Sequence, residues 1–362
     1  MKKNKKVLVA MSGGVDSSVT AALLKEQGYD IIGVTMQIWP KDMEPPENET
    51  GCCSLSAVDD ARSVANKIGI PFYVLNFRES FSEKVIDYFV DEYLHGRTPN
   101  PCVACNKKFR FEALLKKALE LEIDYIATGH YAKIFLDGNR NRYLLAKAKY
   151  LKKDQSYFLY GLTQEQLAKT LLPLGEYTKP EIRKIAAEMG LVTADKPESQ
   201  EICFVPNDDY RTFLRERVSD EIKPGPFLDT AGNRVGTHHG IPYYTIGQRK
   251  GLGLALGYPV YVVDIDYESN AVIVGKKAEI FSTGLIASRN NFIPFDNLQK
   301  PMEVEAKIRY RANPEKATLY PMEDNKVRVV FHKPVRAVTP GQAVVYYEDD
   351  IVVGGGTIES KF

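Results

Sequence analysis

The apolar run Val7-Leu8-Val9-Ala10-Met11 passes through Ser12-Gly13-Gly14-Val15-Asp16-Ser17-Ser18 directly into Val19-Thr20-Ala21-Ala22-Leu23-Leu24. No other stretch limits the fold as much. A buried strand that ends on two glycines and reopens as a helix presents free backbone N–H groups at a helix N-terminus, where the dipole also favours negative charge. The turn is therefore a seat for phosphate. The hydroxyls of Ser12, Ser17 and Ser18 can add hydrogen bonds, and Asp16 can hold the Mg2+ that accompanies a nucleotide. The spacing is not a dinucleotide fingerprint and lacks the lysine of a Walker loop. The plain structural alternative is a Gly-Gly turn entering an ordinary helix.

Past this turn the chain reads as an α/β, doubly wound parallel sheet. Gly28 closes the first helix, and Ile31-Ile32-Gly33-Val34-Thr35-Met36 is a second buried strand, with ligands expected at the C-terminal strand ends. Met36 falls at that edge. Ser56 can cap a helix carrying Val58, Ala61, Val64, Ala65 and Ile68 on one side; Pro71 to Leu75 is a third strand, Phe81 to Tyr93 a helix, and Tyr125 to Thr128 a strand ending on Gly129-His130. A chain of 362 residues implies two or three domains. It contains no apolar run long enough to span a bilayer, and Met1 to Lys6 lead into the first strand without a signal-peptide core. A cytoplasmic protein is expected. Five cysteines, an odd number, argue against a disulfide framework and for reactive thiols or metal ligands. The net charge of +1 means that any nucleic-acid surface must be a local patch.

The second informative stretch is Gly96-Arg97-Thr98-Pro99-Asn100-Pro101-Cys102-Val103-Ala104-Cys105-Asn106. Prolines on both sides of an asparagine disfavour helix and stiffen the chain, whereas Phe109 to Leu121 is helical, so the cysteines lie near a helix N-terminus, which favours thiolate. Half a zinc site, a redox pair and a buried structural pair remain open as alternatives. Adjacent Cys52-Cys53, beside the polar loop Trp39 to Gly51, receive no role.

Further along, Asp137-Gly138 turns a hairpin whose second strand is Arg142 to Ala148. Lys147, Lys149, Lys152 and Lys153 then cluster, with Tyr150, Tyr157 and Tyr160 interleaved as an RNA-binding surface would have them. Thr178-Lys179-Pro180-Glu181 is a capping box. Cys203 sits in the strand-like Glu201 to Val205, where a cysteine is by default buried and inert. Beyond the helix Tyr210 to Val218 and the linker Lys223-Pro224-Gly225-Pro226 the chain turns to short alternating strands. One β-rich unit ends near Ile280, and a second, from Pro301 onward with about six strands, reads as a small barrel. The expected division is a catalytic domain over 1–220, a central β-rich domain over 221–282 and a C-terminal β-barrel over 283–362.

SGGVDSS resembles the signature of the PP-loop ATP pyrophosphatases, which have an adenine nucleotide alpha hydrolase-like fold. With GRTPNPCVACN, Ala127-Thr128-Gly129-His130-Tyr131, Lys153-Asp154-Gln155-Ser156-Tyr157-Phe158 and Glu201-Ile202-Cys203-Phe204, the chain is similar over nearly its whole length to the tRNA-specific 2-thiouridylases. That resemblance implies a tRNA-uridine 2-sulfurtransferase that uses ATP and Mg2+ to adenylate O2 of the wobble uridine and then replaces it with sulfur. It implies ATP contacts from Ala10, Met11, Ser12, Gly13, Gly14, Val15, Asp16, Ser17, Met36 and Gly129, and catalytic Cys105 and Cys203. It puts a target-base pocket at Asn100, Pro101 and Cys102, and tRNA contacts at His130, Lys153, Asp154, Gln155, Arg309, Tyr310 and Gln342. Implied partners are tRNAs for lysine, glutamate and glutamine and a cysteine desulfurase or sulfur-relay protein; the expected state is a monomer.

The chain departs from the best-known family pattern, which has aspartate where Cys102 stands. Two routes for sulfur therefore stay open. Cys203 can carry a persulfide with Cys105 as its partner, ending in a disulfide bond, or Cys102, Cys105 and Cys203 can ligate three irons of a [4Fe-4S] cluster. Competing functions are a PP-loop ligase or amidating enzyme acting on a small metabolite, which leaves the cysteines and β-rich third unused, and a non-catalytic RNA-binding module, which leaves SGGVDSS unused.

Overall fold

The computed structural model describes residues 5–39, 55–197 and 202–362. Cys52, Cys53 and Glu201 lie outside these residues. The chain divides into two compact units, one comprising Met1–Ile86, Cys102–Asp208 and Asp350–Val352, the other Asp87–Pro101, Asp209–Asp349 and Val353–Phe362. No helix among the described residues is long and apolar enough to cross a membrane.

The first unit is built on five parallel strands: β1 (Lys6–Ala10), β2 (Asp30–Gln37), β3 (Phe72–Asn76), β4 (Tyr125–Ala127) and β7 (Thr170–Leu171), in the order β3-β2-β1-β4-β7. Val7, Leu8 and Val9 are all buried, as a strand covered on both faces requires. Helices α1 (Val15–Glu26) and α2 (Leu55–Ile68) carry the chain outward from β1 to β3; it then returns to β4 on the other side of β1. Strand order thus reverses between β1 and β4, and the crevice beyond their C-terminal ends is the ligand position of such sheets. The apolar side expected for α2 packs inward through Ala61, Val64 and Ala65, together with Ile182 and Ala186 of the helix Lys179–Glu188. An antiparallel hairpin of β5 (Ala132–Asp137) and β6 (Arg142–Lys147) closes with Asp137 opposite Arg142.

Several local expectations change. Helix α2 begins at Leu55, so Ser56 lies inside it. The helix expected from Phe81 starts at Arg78 and passes through a π-helical turn, Ser82–Ile86, before Asp87–Leu94. Pro101, expected to prevent helix, opens one at Pro101–Ala104; its missing N–H costs nothing at a first helical position. Helix Phe109 to Leu121 is replaced by a π-helical turn, Cys105–Arg110, and a separate helix, Ala113–Glu120. Cys203 lies in a turn closed by Val205 N–H to Ile202 O at 3.0 Å, not in a strand.

The second unit holds a four-stranded sheet of β8 (Gly225–Asp229), β9 (Arg234–His238), β10 (Tyr261–Asp266) and β11 (Ala271–Gly275), packed on Phe227, Val262, Val272 and Val274. It also holds a closed antiparallel barrel of β12 (Phe281–Phe292), β13 (Met302–Lys307), β14 (Glu315–Pro321), β15 (Val327–Arg336), β16 (Ala343–Glu348) and β17 (Ile351–Lys361), closed by β12 pairing with β17. Val327, Val329 and Phe331 of β15 point inward at alternate positions. The barrel starts at Phe281, not Pro301. The sequence of β12, FSTGLIASRNNF, has few strong strand formers, and its state is set by pairing to β15 and β17. Helix Asp87–Leu94 packs in this unit, with Tyr93 stacked on Tyr210 at 4.9 Å and Phe89 edge-on to Phe213 at 6.0 Å.

Candidate active site

The turn after β1 has the form of a phosphate seat. Met11 N–H donates to Val34 O at 2.8 Å and Thr35 Oγ1 donates to Met11 O at 2.6 Å, fixing the strand end. Gly13 has φ +69, and a Cβ there would stand 2.2 Å from the Ala57 carbonyl oxygen, so both its conformation and its surroundings require glycine. Gly14 is the N-cap of α1 and supplies no side chain to its N–H groups, leaving those donors available to an anion. The hydroxyls are more committed than expected. Ser18 Oγ donates to Gly14 O at 2.9 Å, while Ser17 Oγ donates to the same carbonyl at 3.0 Å and accepts Ser12 N–H at 3.1 Å. Ser12, half-buried, has its Oγ 3.3 Å from Ser17 Oγ. Met36 is half-buried near the C-terminal end of β2, opposite Leu75.

Asp16 is held by two partners from later in the chain. Lys179 Nζ stands 2.8 Å from each carboxylate oxygen, and the Tyr131 hydroxyl donates to Oδ1 at 2.7 Å. Gly129 lies against the same turn: a Cβ there would come within 2.9 Å of Asp16 C and Ser17 N. Asp16 has the donor chemistry for Mg2+, but an ion would have to share or displace Lys179.

His130 is buried, with Nδ1 2.7 Å from Thr128 Oγ1 and Nε2 3.3 Å from Arg110 Nη1. Burial, and then the Arg110 charge, hold its pKa well below the ordinary histidine value.

The cysteines belong to the first unit. Cys102 is exposed, and Cys105 and Cys203 are half-buried. An aromatic chain links the last two segments. Phe109, on the turn that Cys105 opens, meets Phe81 edge-on at 5.3 Å, and Phe81 meets Phe204, directly after Cys203, at 5.8 Å. All three rings are buried. Among the described residues no three of His, Cys, Asp and Glu form a group that could hold a metal ion.

The residues implied for RNA are unevenly placed. Lys153 is half-buried at the end of the turn Leu151–Lys153. Buried Asp154 accepts Ala148 N–H at 3.0 Å and the Ser156 hydroxyl at 2.8 Å, and Gln155 bonds the Tyr131 backbone through its Oε1 at 3.0 Å and its N–H at 2.8 Å. These two shape the loop. Tyr157 and Tyr160, expected between exposed lysines, are core residues. In the second unit Arg309 Nη2 donates to the carbonyls of Arg336 at 2.8 Å and Ala337 at 2.9 Å, and Lys307 Nζ lies 5.4 Å from the Tyr310 ring centre. Gln342 Nε2 donates to Pro99 O at 3.2 Å and Thr98 N–H to Pro340 O at 2.9 Å, anchoring the stretch that leads into Asn100 and Pro101.

Residues 5–207 match the family described as tRNA methyl transferase HUP domain, residues 211–276 the tRNA methyl transferase PRC-barrel domain and residues 282–358 the aminomethyltransferase beta-barrel domain. The tRNA-specific 2-thiouridylase MnmA of Carboxydothermus hydrogenoformans is 62% identical over 358 residues, covering 99% of this chain and 98% of its own. Those of Acetivibrio thermocellus and Clostridium perfringens are 61% and 60% identical, each covering 98% of this chain and 99% of their own. The chain belongs to the tRNA-specific 2-thiouridylase family. For a 2-thiouridylase, the site contains residues to which the sequence motifs give no role in the chemistry. Lys179, Tyr131, Arg110 and Phe81 all touch the elements that carry the expected chemistry. Lys179 left one trace in the sequence: it occupies the first position of a capped helix, where the dipole disfavours a cation. The roles of Tyr131, Arg110 and Phe81 rest on long-range packing.

Proposed function

We propose that this chain catalyses ATP-dependent 2-thiolation of the wobble uridine, U34, of tRNA. The observation that carries this reading is that one unit holds both a phosphate seat at the sheet's switch point and two cysteine segments joined through Phe81. The Gly13–Ser17 turn and the α1 N-terminus bind the ATP phosphates, with Gly129 and Met36 toward the nucleoside. Uridine O2 attacks the α-phosphate, pyrophosphate leaves, and the backbone donors offset the charge that develops. Asp16 would hold magnesium, which would supply further charge neutralisation at the phosphates. Sulfur follows by the persulfide route: the terminal sulfur of a Cys203 persulfide adds to C2 and AMP departs with the original oxygen. The Cys105 thiolate then attacks Cys203 Sγ, leaving the transferred sulfur on the base with the S–S electron pair. A Cys105–Cys203 disulfide remains, and an external dithiol must reduce it.

Asn100, Pro101 and Cys102 line the pocket for a base turned out of the anticodon stack, and Lys153, Tyr310 and the neighbouring lysines meet RNA phosphates. Substrates are tRNAs for lysine, glutamate and glutamine, the sulfur comes from a cysteine desulfurase or relay protein, and the enzyme works in the cytoplasm as a monomer, with domains over 1–220, 221–282 and 283–362. The methyl transferase wording of two matched families is the less favoured reading, because methyl transfer uses neither a phosphate seat nor a cysteine pair. Nucleoside mass spectrometry of tRNA from cells lacking the protein is expected to show loss of 2-thiouridine derivatives, restored by the wild-type chain but not by Cys105→Ser or Gly13→Ala. An unchanged 2-thiouridine content would overturn the proposal.

A further inference from the structure

The segment Thr128-Gly129-His130-Tyr131 leaves the C-terminal end of β4 and touches two functional elements at once. Toward the nucleotide loop, Gly129 packs on the Asp16–Ser17 backbone and Tyr131 donates to Asp16. Toward the cysteine turn, His130 Nε2 stands 3.3 Å from Arg110 Nη1, which also donates to Asn106 Oδ1 at 3.3 Å. Asn106 and Arg110 both belong to the π-helical turn Cys105–Arg110. Guanidinium has no acceptor, so Nε2 must supply the lone pair; the ring proton is then on Nδ1 and is donated to Thr128 Oγ1. The tautomer is assigned by this network. A second proton would set two cations against each other away from water, so the ring stays neutral. Widened turns such as Cys105–Arg110, with Phe111 N–H reaching Asn106 O at 3.0 Å, are rare and concentrate at functional sites. The bond from Arg110 to His130 supplies an external anchor for this one.

We propose that His130 is a positioning residue for Cys105: by accepting from Arg110 it holds the turn that opens on Cys105 in a register set by the nucleotide loop. The inference rests on Cys105 being a sulfur-transfer cysteine. It assigns His130 a role distinct from the RNA contact implied by resemblance.

His130→Leu removes the acceptor, His130→Gln retains an acceptor near the Nε2 position, and Arg110→Met removes the donor. At saturating tRNA, His130→Leu and Arg110→Met are each expected to slow single-turnover thiolation by roughly 10- to 100-fold, the scale of an ångström-level misplacement. The double variant should be no slower than either single one. Glutamine should recover most of the rate, and tRNA and ATP affinities should change less than about twofold. The alkylation rate of Cys105 in the nucleotide-free protein, read by peptide mapping, should shift in both deletion variants. Weakened tRNA binding by His130→Leu with an unchanged rate at saturation would make it an RNA contact and overturn the proposal. So would additive losses in the double variant or unchanged Cys105 alkylation. If His130→Leu does not fold, Arg110→Met decides, because full thiolation by that variant refutes the link. Full thiolation by Cys105→Ser would instead refute the underlying sulfur-transfer reading.

Discussion

Replacing Asp16 by alanine separates two roles of one carboxylate, phosphate-site chemistry and charge compensation. Lys179 Nζ lies 2.8 Å from both carboxylate oxygens, the Lys179 side chain is 8% exposed and that of Asp16 32% exposed. Asp16→Ala leaves the ammonium without that counter-charge, at the start of a helix whose dipole opposes it. An exposed ion pair contributes about 0–1 kcal/mol, and removing one partner of a buried pair costs about 3–5 kcal/mol. Because water can reach the Asp16 side, the cost falls between these, about 2–3 kcal/mol, or roughly 5–10 °C in the Tm of a unit this size. The sequence alone suggests that Asp16 serves phosphate and metal rather than the core and that its loss leaves the fold largely intact; the ion pair adds a stability cost that the sequence does not show. Asp16→Ala/Lys179→Met removes both charges and should regain most of the stability, whereas Asp16→Asn, which keeps an acceptor for Tyr131, should fall between. Scanning calorimetry of wild type, both single variants and the double variant gives the coupling energy directly. A coupling below about 0.5 kcal/mol, within the error of additivity, would refute the reasoning.

Two further outcomes test the site. Phe81→Leu should cost about 1–2 kcal/mol and slow diamide-driven Cys105–Cys203 disulfide formation several-fold, with ATP affinity unchanged; an unaltered oxidation rate would mean that Phe81 does not set the approach of the two cysteines. Lys153→Ala should reduce the salt slope of tRNA binding by about 1, while Arg309→Ala, whose guanidinium already bonds two carbonyls, should lower Tm and leave the slope in place. A slope reduced equally by both variants would return Arg309 to the RNA surface.

The parts of this protein legible in its sequence are those governed by local backbone rules. The strand, paired glycines and helix that make the phosphate seat lie within about twenty consecutive residues, and only the permitted conformations of Gly13 and the free donors of α1 are needed to read them. The capping box at Thr178 and Glu181 formed as read, with Thr178 N–H bonded to Glu181 Oε2 at 2.6 Å, because both partners belong to one turn. The β-rich character of the last third also followed from period-two patterning.

Tertiary structure decided which of these elements meet. Lys179 is 163 positions from Asp16 and Gln342 is 243 from Pro99, so neither pairing leaves a periodic signal. Tyr157 and Tyr160 follow the lysine cluster in a stretch that reads as RNA-facing yet lie in the core, since linear sequence does not specify which way an irregular turn faces. Local rules give no link between Cys105 and Cys203, which only the family resemblance pairs; the buried contacts of Phe81 with Phe109 and Phe204 relate their segments, and such contacts depend on how distant surfaces pack rather than on the preferences of either segment alone.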